Sequence, residues 1–163
     1  MNKVVQSRAK KLHTKIDLII EFPMLKFEDI YILGITGSRL KGVDKNHINK
    51  SRKFFEDTLN SILSKKVGKR IVIIEGGAKE GIDVMAKVFG SKSPKVFMVI
   101  ERLPKFERDG TPYNVLDYHT RNSEVVDVSD SVLAFWDGIS SGTSFTVEKA
   151  RKNGNLEAVF RLD

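Results

Sequence analysis

Three short runs of small residues, each following an apolar β-rich stretch, constrain this chain more than any other feature. They are Gly34-Ile35-Thr36-Gly37-Ser38-Arg39, Glu75-Gly76-Gly77-Ala78-Lys79-Glu80-Gly81-Ile82-Asp83 and Trp136-Asp137-Gly138-Ile139-Ser140-Ser141-Gly142-Thr143. In α/β proteins the loops at the carboxyl ends of parallel strands meet at one crevice. Glycine lets a ligand approach the backbone there, and the helix starts that follow offer free N–H groups to an anion. Together the runs predict a pocket for a phosphorylated ligand.

The sequence between them alternates strand and helix patterns. Ile30-Tyr31-Ile32-Leu33 predicts a first strand ending at Gly34. A helix follows from Asn46 towards Lys66, with Phe55, Leu59, Ile62 and Leu63 as its buried stripe. Arg70-Ile71-Val72-Ile73-Ile74 is the second strand, apolar enough for a sheet covered on both faces. A short helix from Gly81 to Phe89 is closed by Gly90, and Lys95 to Ile100 is the third strand. Arg102 to Pro112, charged and rich in turn residues, suits a mobile flap over a site. A helix within Tyr113 to Val128 leads to a fourth strand, Ser131 to Phe135. Thr143 to Asn153 is helical, and Glu157 to Arg161 is a final strand.

This order predicts an α/β, Rossmann-like three-layer domain with a mostly parallel sheet of about five strands. If the sheet is doubly wound with right-handed crossovers, its direction switches between the first and fourth strands. Residues 29–163 form the nucleotide-binding domain on this reading, and residues 1–28 an amino-terminal extension packed on the core. That extension reads two ways. Ile16, Leu18, Ile20 and Phe22 alternate like a strand, whereas Leu12, Ile16 and Ile19-Ile20 fit a helical stripe. Pro23 ends either element.

Composition narrows the chemistry. The 163-residue chain suits one domain, and it has no cysteine, which excludes disulfides, thiolate zinc sites and a cysteine nucleophile. His13, His47 and His119 lie far apart without metal-ligand spacing, so no metal site is expected, and no motif requires a cofactor. No apolar run is long enough to span a bilayer, and Met1 to Arg8 lacks the apolar core of a signal peptide. A cytoplasmic protein with no membrane partner is expected. The net charge of +7 permits a nucleic-acid partner without demanding one. Its densest stretches, Arg8-Ala9-Lys10-Lys11 and Lys50-Ser51-Arg52-Lys53, sit in a chain where lysines and acids are mixed.

Within the loops, Gly37 and Ser38 are candidates to touch a phosphate, or to make a tight strand-to-loop turn. Arg39 is a candidate for a charge-assisted contact with an anion. Gly76 and Gly77 permit close backbone approach, while Asp83 in a first helical turn favourably opposes the helix dipole. Glu75 and Asp137, at strand ends, are candidates to accept from ribose or base, and Trp136 to stack on a base or pack under the sheet. Arg121 is the strongest cationic candidate, placed at or near a helix start, with Asn122 to orient it or cap the helix. Gly142 and Thr143 open a helix whose N–H groups can hold a phosphate, and Ser140 and Ser141 can assist.

Four of these segments, Gly37-Ser38-Arg39, Gly76-Gly77-Ala78 with Gly81-Ile82-Asp83, Arg121-Asn122, and Ser140 with Gly142-Thr143, stand in a familiar order. In this the chain from Ile30 onward resembles the superfamily that joins the DNA-processing protein DprA (Smf) with the Lonely Guy phosphoribohydrolases. Its Trp136-Asp137-Gly138 ending is similar to that of small YspA-like members. The resemblance implies a Rossmann-like domain that binds a nucleotide or nucleotide-derived ligand, commonly as a homodimer. It implies a role for Arg121 in positioning substrate; N-glycosidic hydrolysis would need Glu75, Glu80 or Asp137 to take the place of the relatives' catalytic glutamate. The DprA side of the superfamily implies instead a single-stranded nucleic-acid partner, and Ser141-Gly142-Thr143 with Thr146 is similar to its closing segment. The hydrolytic relatives carry a glutamate where Thr146 stands here, and Glu148 is shifted to another helix face. A threonine cannot act as that general acid or base.

Overall fold

A computed structural model describes residues 3–162. Among these described residues, five strands alternate with α-helices, and every strand pair is parallel. The strands are β1 (Ile30–Gly37), β2 (Arg70–Glu75), β3 (Val96–Glu101), β4 (Ser131–Trp136) and β5 (Leu156–Arg161). They lie in the order β3-β2-β1-β4-β5. The chain moves outward from β1 to β3, then returns to lay β4 on the other side of β1. The expected switch in direction therefore falls between β1 and β4.

Successive side chains on a strand point to opposite faces, so each central strand feeds two cores. On one face Leu33, Ile35, Ile71, Ile73, Leu133 and Phe135 pack beneath α2 (Lys45–Ser64) and α3 (Ile82–Lys92). Phe55 of α2 is fully buried there, its ring 4.7 Å from that of Phe135. Each such buried aromatic contributes roughly 1.5–3 kcal/mol. On the other face Ile32, Val72 and Ile74 meet α1 (Lys3–Glu21) through Leu18 and α5 (Leu116–Val128) through Val125. Val132 packs with Val126 of α5 and Ala150 of α6 (Ser141–Asn153). This is the three-layer sandwich.

Several boundaries differ from expectation for local reasons. β1 continues past Gly34 to Gly37, because Leu33–Gly37 pair in register with Ser131–Phe135 of β4. The first small-residue run is thus mostly strand. α2 begins earlier than Asn46: Asp44 is its N-cap, accepting the His47 N–H at 3.0 Å. Gly90 does not close α3 but lies inside it, where the Val99 side chain from β3 occupies the place of a Cβ.

The amino-terminal segment resolves as the helix α1, not a strand. Lys10 pairs with Asp127 at 3.0 Å and Lys15 with Asp130 at 3.0 Å, tying α1 to the end of α5 and the turn after it. Its outward face leaves Leu12, Ile16 and Ile20 exposed. The charged segment after β3 also carries structure of its own, α4 (Lys105–Asp109). Arg102 pairs with Glu124 of α5 at 2.6 Å, and Phe106 packs its ring 5.4 Å from Tyr118. The expected flap is therefore docked on α5.

Candidate functional site

The carboxyl ends of β1, β2 and β4 open into a cavity of about 460 Å³. Its walls bring together Gly37 at the end of β1 and Arg39 beyond it, Gly76 after β2, Arg121 and Asn122 from α5, and Asp137, Ser140, Gly142 and Thr143 after β4. These candidates come from four separate stretches of sequence. Three others lie beside the cavity rather than on its wall: Ser38 and Glu75 are buried behind it, and Gly77 lines a smaller neighbouring cavity.

The Gly76-Gly77-Ala78 backbone is held by three ionisable side chains. Arg121 donates through Nη1 to the Gly76 carbonyl, Asp83 accepts the Ala78 N–H at 3.0 Å, and Glu75 accepts the Gly77 N–H at 2.5 Å. A Cβ on Gly76 would stand 2.9 Å from the Arg121 guanidinium carbon and 3.0 Å from Asp83 Oδ2. Glycine is required there by close approach. Arg121 lies in the interior of α5 rather than near its start, and Asn122 accepts from its Nε at 2.8 Å. That bond orients the guanidinium, so Asn122 does not serve as a helix cap.

Burial decides the electrostatics of this corner. It pushes the Asp83 carboxyl up, and the Ala78 N–H and the Arg121 charge work against it. It lowers the Arg121 pKa, with Asp83 opposing that shift. Glu75 is only 1% exposed, and its Oε1 has no hydrogen-bond partner among the described residues. Burial pushes its carboxyl up to about 8, against the pull of the Gly77 N–H and with Asp83 and Glu101 adding to the rise. Glu75 is therefore a protonated structural acid at neutral pH, not a solvated carboxylate facing the cavity.

The third loop is organised by Asp137. Its Oδ1 accepts the N–H groups of Ile139 at 2.9 Å and Ser140 at 2.8 Å. Burial is the largest single influence and pushes the carboxyl up, but these two N–H groups and the Ser140 and Ser38 hydroxyls together outweigh it and hold the carboxyl below its usual range. Ser38, 1% exposed, accepts the Asp137 N–H at 2.9 Å and so clamps the ends of β1 and β4 together. Its hydroxyl is committed to the fold. Trp136 donates through Nε1 to the Ser140 carbonyl at 3.0 Å and is absent from the cavity wall, so it packs rather than stacks on a ligand.

Helix α6 begins at Ser141, two residues before the expected Thr143. Its N-cap, Ser140, makes no side-chain capping bond, because that hydroxyl turns to Asp137. First-turn N–H groups have no acceptor within a helix. Those of Ser141, Gly142 and Thr143 therefore reach the cavity wall with their donor capacity intact, at the positive end of the helix dipole. Thr146 donates to the Gly142 carbonyl at 2.9 Å, which fills the position of the missing glutamate with a helix-internal bond.

The cations line the same cavity as this helix start. Arg39 is exposed and makes no salt bridge among the described residues, in contrast to Lys10, Lys15 and Lys53, which are paired with acids. It follows Ser38 and precedes Leu40, whose φ of 59° lies in the left-handed region at a cost of about 1–2 kcal/mol. Tyr118 was not among the sequence candidates. Its ring lies 5.4 Å from the Arg39 guanidinium carbon and 5.7 Å from that of Arg121, so one aromatic ring supports both cations. The signal for it was its position three residues before Arg121 on a helix, which puts both on one face. Lys41 also borders the cavity, as does His119, whose ring packs 4.6 Å from that of Phe145.

Among the described residues no cluster of three His, Asp or Glu side chains is arranged to hold a metal ion, and no helix is long and apolar enough to cross a membrane. No family model matches the chain, and no match is found among curated proteins. The chain is similar to a solved structure of DNA processing protein A from Helicobacter pylori, described for its single-stranded DNA binding mode. The TM-score is 0.55 at 20% identity, and the similarity covers 79% of this chain and 65% of that one. The chain thus spans a little under two thirds of that protein, and what the two share is the Rossmann-like, DprA-like fold.

Proposed function

We propose that the crevice binds single-stranded DNA by gripping a backbone phosphate between the start of α6 and the arginine pair Arg39 and Arg121. One observation carries this reading: an uncapped helix start and an arginine without an ion-pair partner face the same cavity. Both are donors without acceptors, and a phosphate is the anion that satisfies such a combination. Exposed aromatic groups at the mouth, His119 and Phe145, offer stacking surfaces to bases that a duplex would keep paired. The fold likeness to a protein described for single-stranded DNA binding, together with the net charge of +7, supports the same choice.

The engagement of the nearby carboxylates supports binding over hydrolysis. Asp83 and Asp137 are engaged by backbone N–H groups, and Glu75 is behind the wall. A second reading, a site for a free nucleotide, is favoured by the cavity's volume of about 460 Å³, which is within the range of small-ligand pockets.

Fluorescence anisotropy with a labelled oligothymidylate separates these. The expected result is binding at low salt that weakens as salt rises, with a slope of about −0.7 per phosphate contact for a single strand. Arg39→Ala should lower both affinity and slope, and a duplex of the same length should compete poorly. Absence of binding at low salt, or binding untouched by Arg39→Ala, overturns the reading. Displacement of the strand by equimolar thymidine monophosphate would favour the free-nucleotide alternative.

A further inference from the structure

A second, smaller cavity of about 240 Å³ lies against the first, and the side chains of Arg39, Tyr118 and Arg121 line both. They form a ridge with a hollow on each side. On the far side the wall comes from Gly77, Lys79 and Pro104. Lys79 is exposed and has no ion-pair or hydrogen-bond partner among the described residues. Arg39 is likewise without an ion pair, while Arg121 has its Nη1 and Nε bonded to the Gly76 carbonyl and to Asn122 and serves the main crevice. The acids of this hollow are Glu80, which is paired with Lys41 at 3.9 Å, and Glu107. So two uncommitted cations face a space too small for a second whole ligand but open to one anionic group.

We propose that this hollow is a second phosphate subsite, held by Lys79 and Arg39, and that the preferred ligand carries two phosphates separated by a nucleoside. The proposal rests on the reading of the main crevice as a phosphate site. The ridge selects the ligand class. Adjacent phosphates of a nucleoside diphosphate share a bridging oxygen and cannot straddle an aromatic ring and two guanidinium groups. Consecutive backbone phosphates of a strand are separated by a sugar and can lie one in each hollow, with Tyr118 between them. The exposed Tyr113, 6.3 Å from the Tyr118 ring and 5.1 Å from that of Phe106, extends the aromatic surface along the same path. A ligand that follows it is an oligonucleotide rather than a mononucleotide.

The test compares three probes in competition with a labelled oligothymidylate: thymidine monophosphate, thymidine diphosphate and the 5′-phosphorylated thymidine dinucleotide. Wild type is expected to bind the dinucleotide about tenfold more tightly than either mononucleoside compound, as one added charge-assisted contact would give. Lys79→Ala removes an exposed side chain without partners, so it should fold normally. It should abolish that preference while leaving affinity for the monophosphate unchanged. Lys95→Ala, just before β3 at the opposite end of that strand from the site, should change neither. Equal binding of diphosphate and dinucleotide, or a Lys79→Ala variant that keeps the full preference, overturns the second subsite. Failure of every probe and of the labelled strand to bind wild type overturns the crevice reading beneath it.

Discussion

Replacing Glu75 by glutamine should change how stability depends on pH, and the size of the effect follows from burial. Glu75 is 1% exposed, with one oxygen on the Gly77 N–H and the other without a partner. Its carboxyl rises from an ordinary 4.5 to about 8 in the folded chain. Between those values the unfolded chain has lost the proton while the folded chain retains it. Stability then falls as pH rises, at up to about 1.4 kcal/mol per pH unit. The stabilisation is whole below pH ~4.5 and is lost as pH rises through ~8, a total on the order of 5 kcal/mol. Glutamine does not titrate. Any fixed cost of placing an amide in this site shifts the variant's curve without changing its slope. Urea unfolding of both proteins at intervals from pH 5 to 9, followed by circular dichroism, gives the difference directly. The glutamine variant should gain on wild type steadily up to about pH 8 and level off above it. Parallel curves would refute the claim that Glu75 is buried as a neutral acid.

Two further substitutions probe the loop that Glu75 supports. Gly76→Ala places a Cβ 2.9 Å from the Arg121 guanidinium, so the loop or the arginine must move; thermal melts should show a loss of about 1–3 kcal/mol, accompanied by weaker strand binding. Arg121→Lys keeps the charge but cannot reach the Gly76 carbonyl and Asn122 together. It should cost about 1–3 kcal/mol in urea unfolding, because a buried acceptor of this corner, the Gly76 carbonyl or the Asn122 oxygen, is left without its donor.

Much of the fold was legible because its strands are unusually plain. Ile71 to Ile74 form an unbroken apolar run, which only a sheet covered on both faces buries completely. The positions that misled share a cause, which is that pairing and docking are tertiary. Gly34 to Gly37 looks like a loop in isolation and becomes strand only when β4 arrives beside it. The α1 periodicity read two ways because Leu12, Ile16 and Ile20 are apolar yet exposed, so pattern and burial disagree. The Arg102 to Pro112 segment has a loop's composition, but Arg102–Glu124 and the Phe106–Tyr118 contact hold it to α5.

The site was legible in outline and not in its division of labour. Glycine runs and helix starts announced the crevice, since both depend on local sequence. Which polar groups face it depends on partners far along the chain. Ser38 has the residue type of a phosphate ligand, yet its hydroxyl serves the Asp137 N–H, 99 positions away. Glu75 stands at a strand end, as a ribose-binding carboxylate would, yet the Gly76-Gly77 turn folds over it. Tyr118 carried no motif and turns out to seat both arginines.

The central claim is that donors at the start of α6 and the arginines of the same cavity grip a phosphate of a single DNA strand. Nuclear magnetic resonance titration of the 15N-labelled protein with a short oligothymidylate tests it residue by residue. The largest early shifts should fall on the backbone amides of Ser141, Gly142 and Thr143 and on the side-chain Nε–H of Arg39, with α2 and α1 unaffected. Shifts concentrated on the Lys50-Ser51-Arg52-Lys53 stretch of α2, with those three amides unmoved, would contradict it.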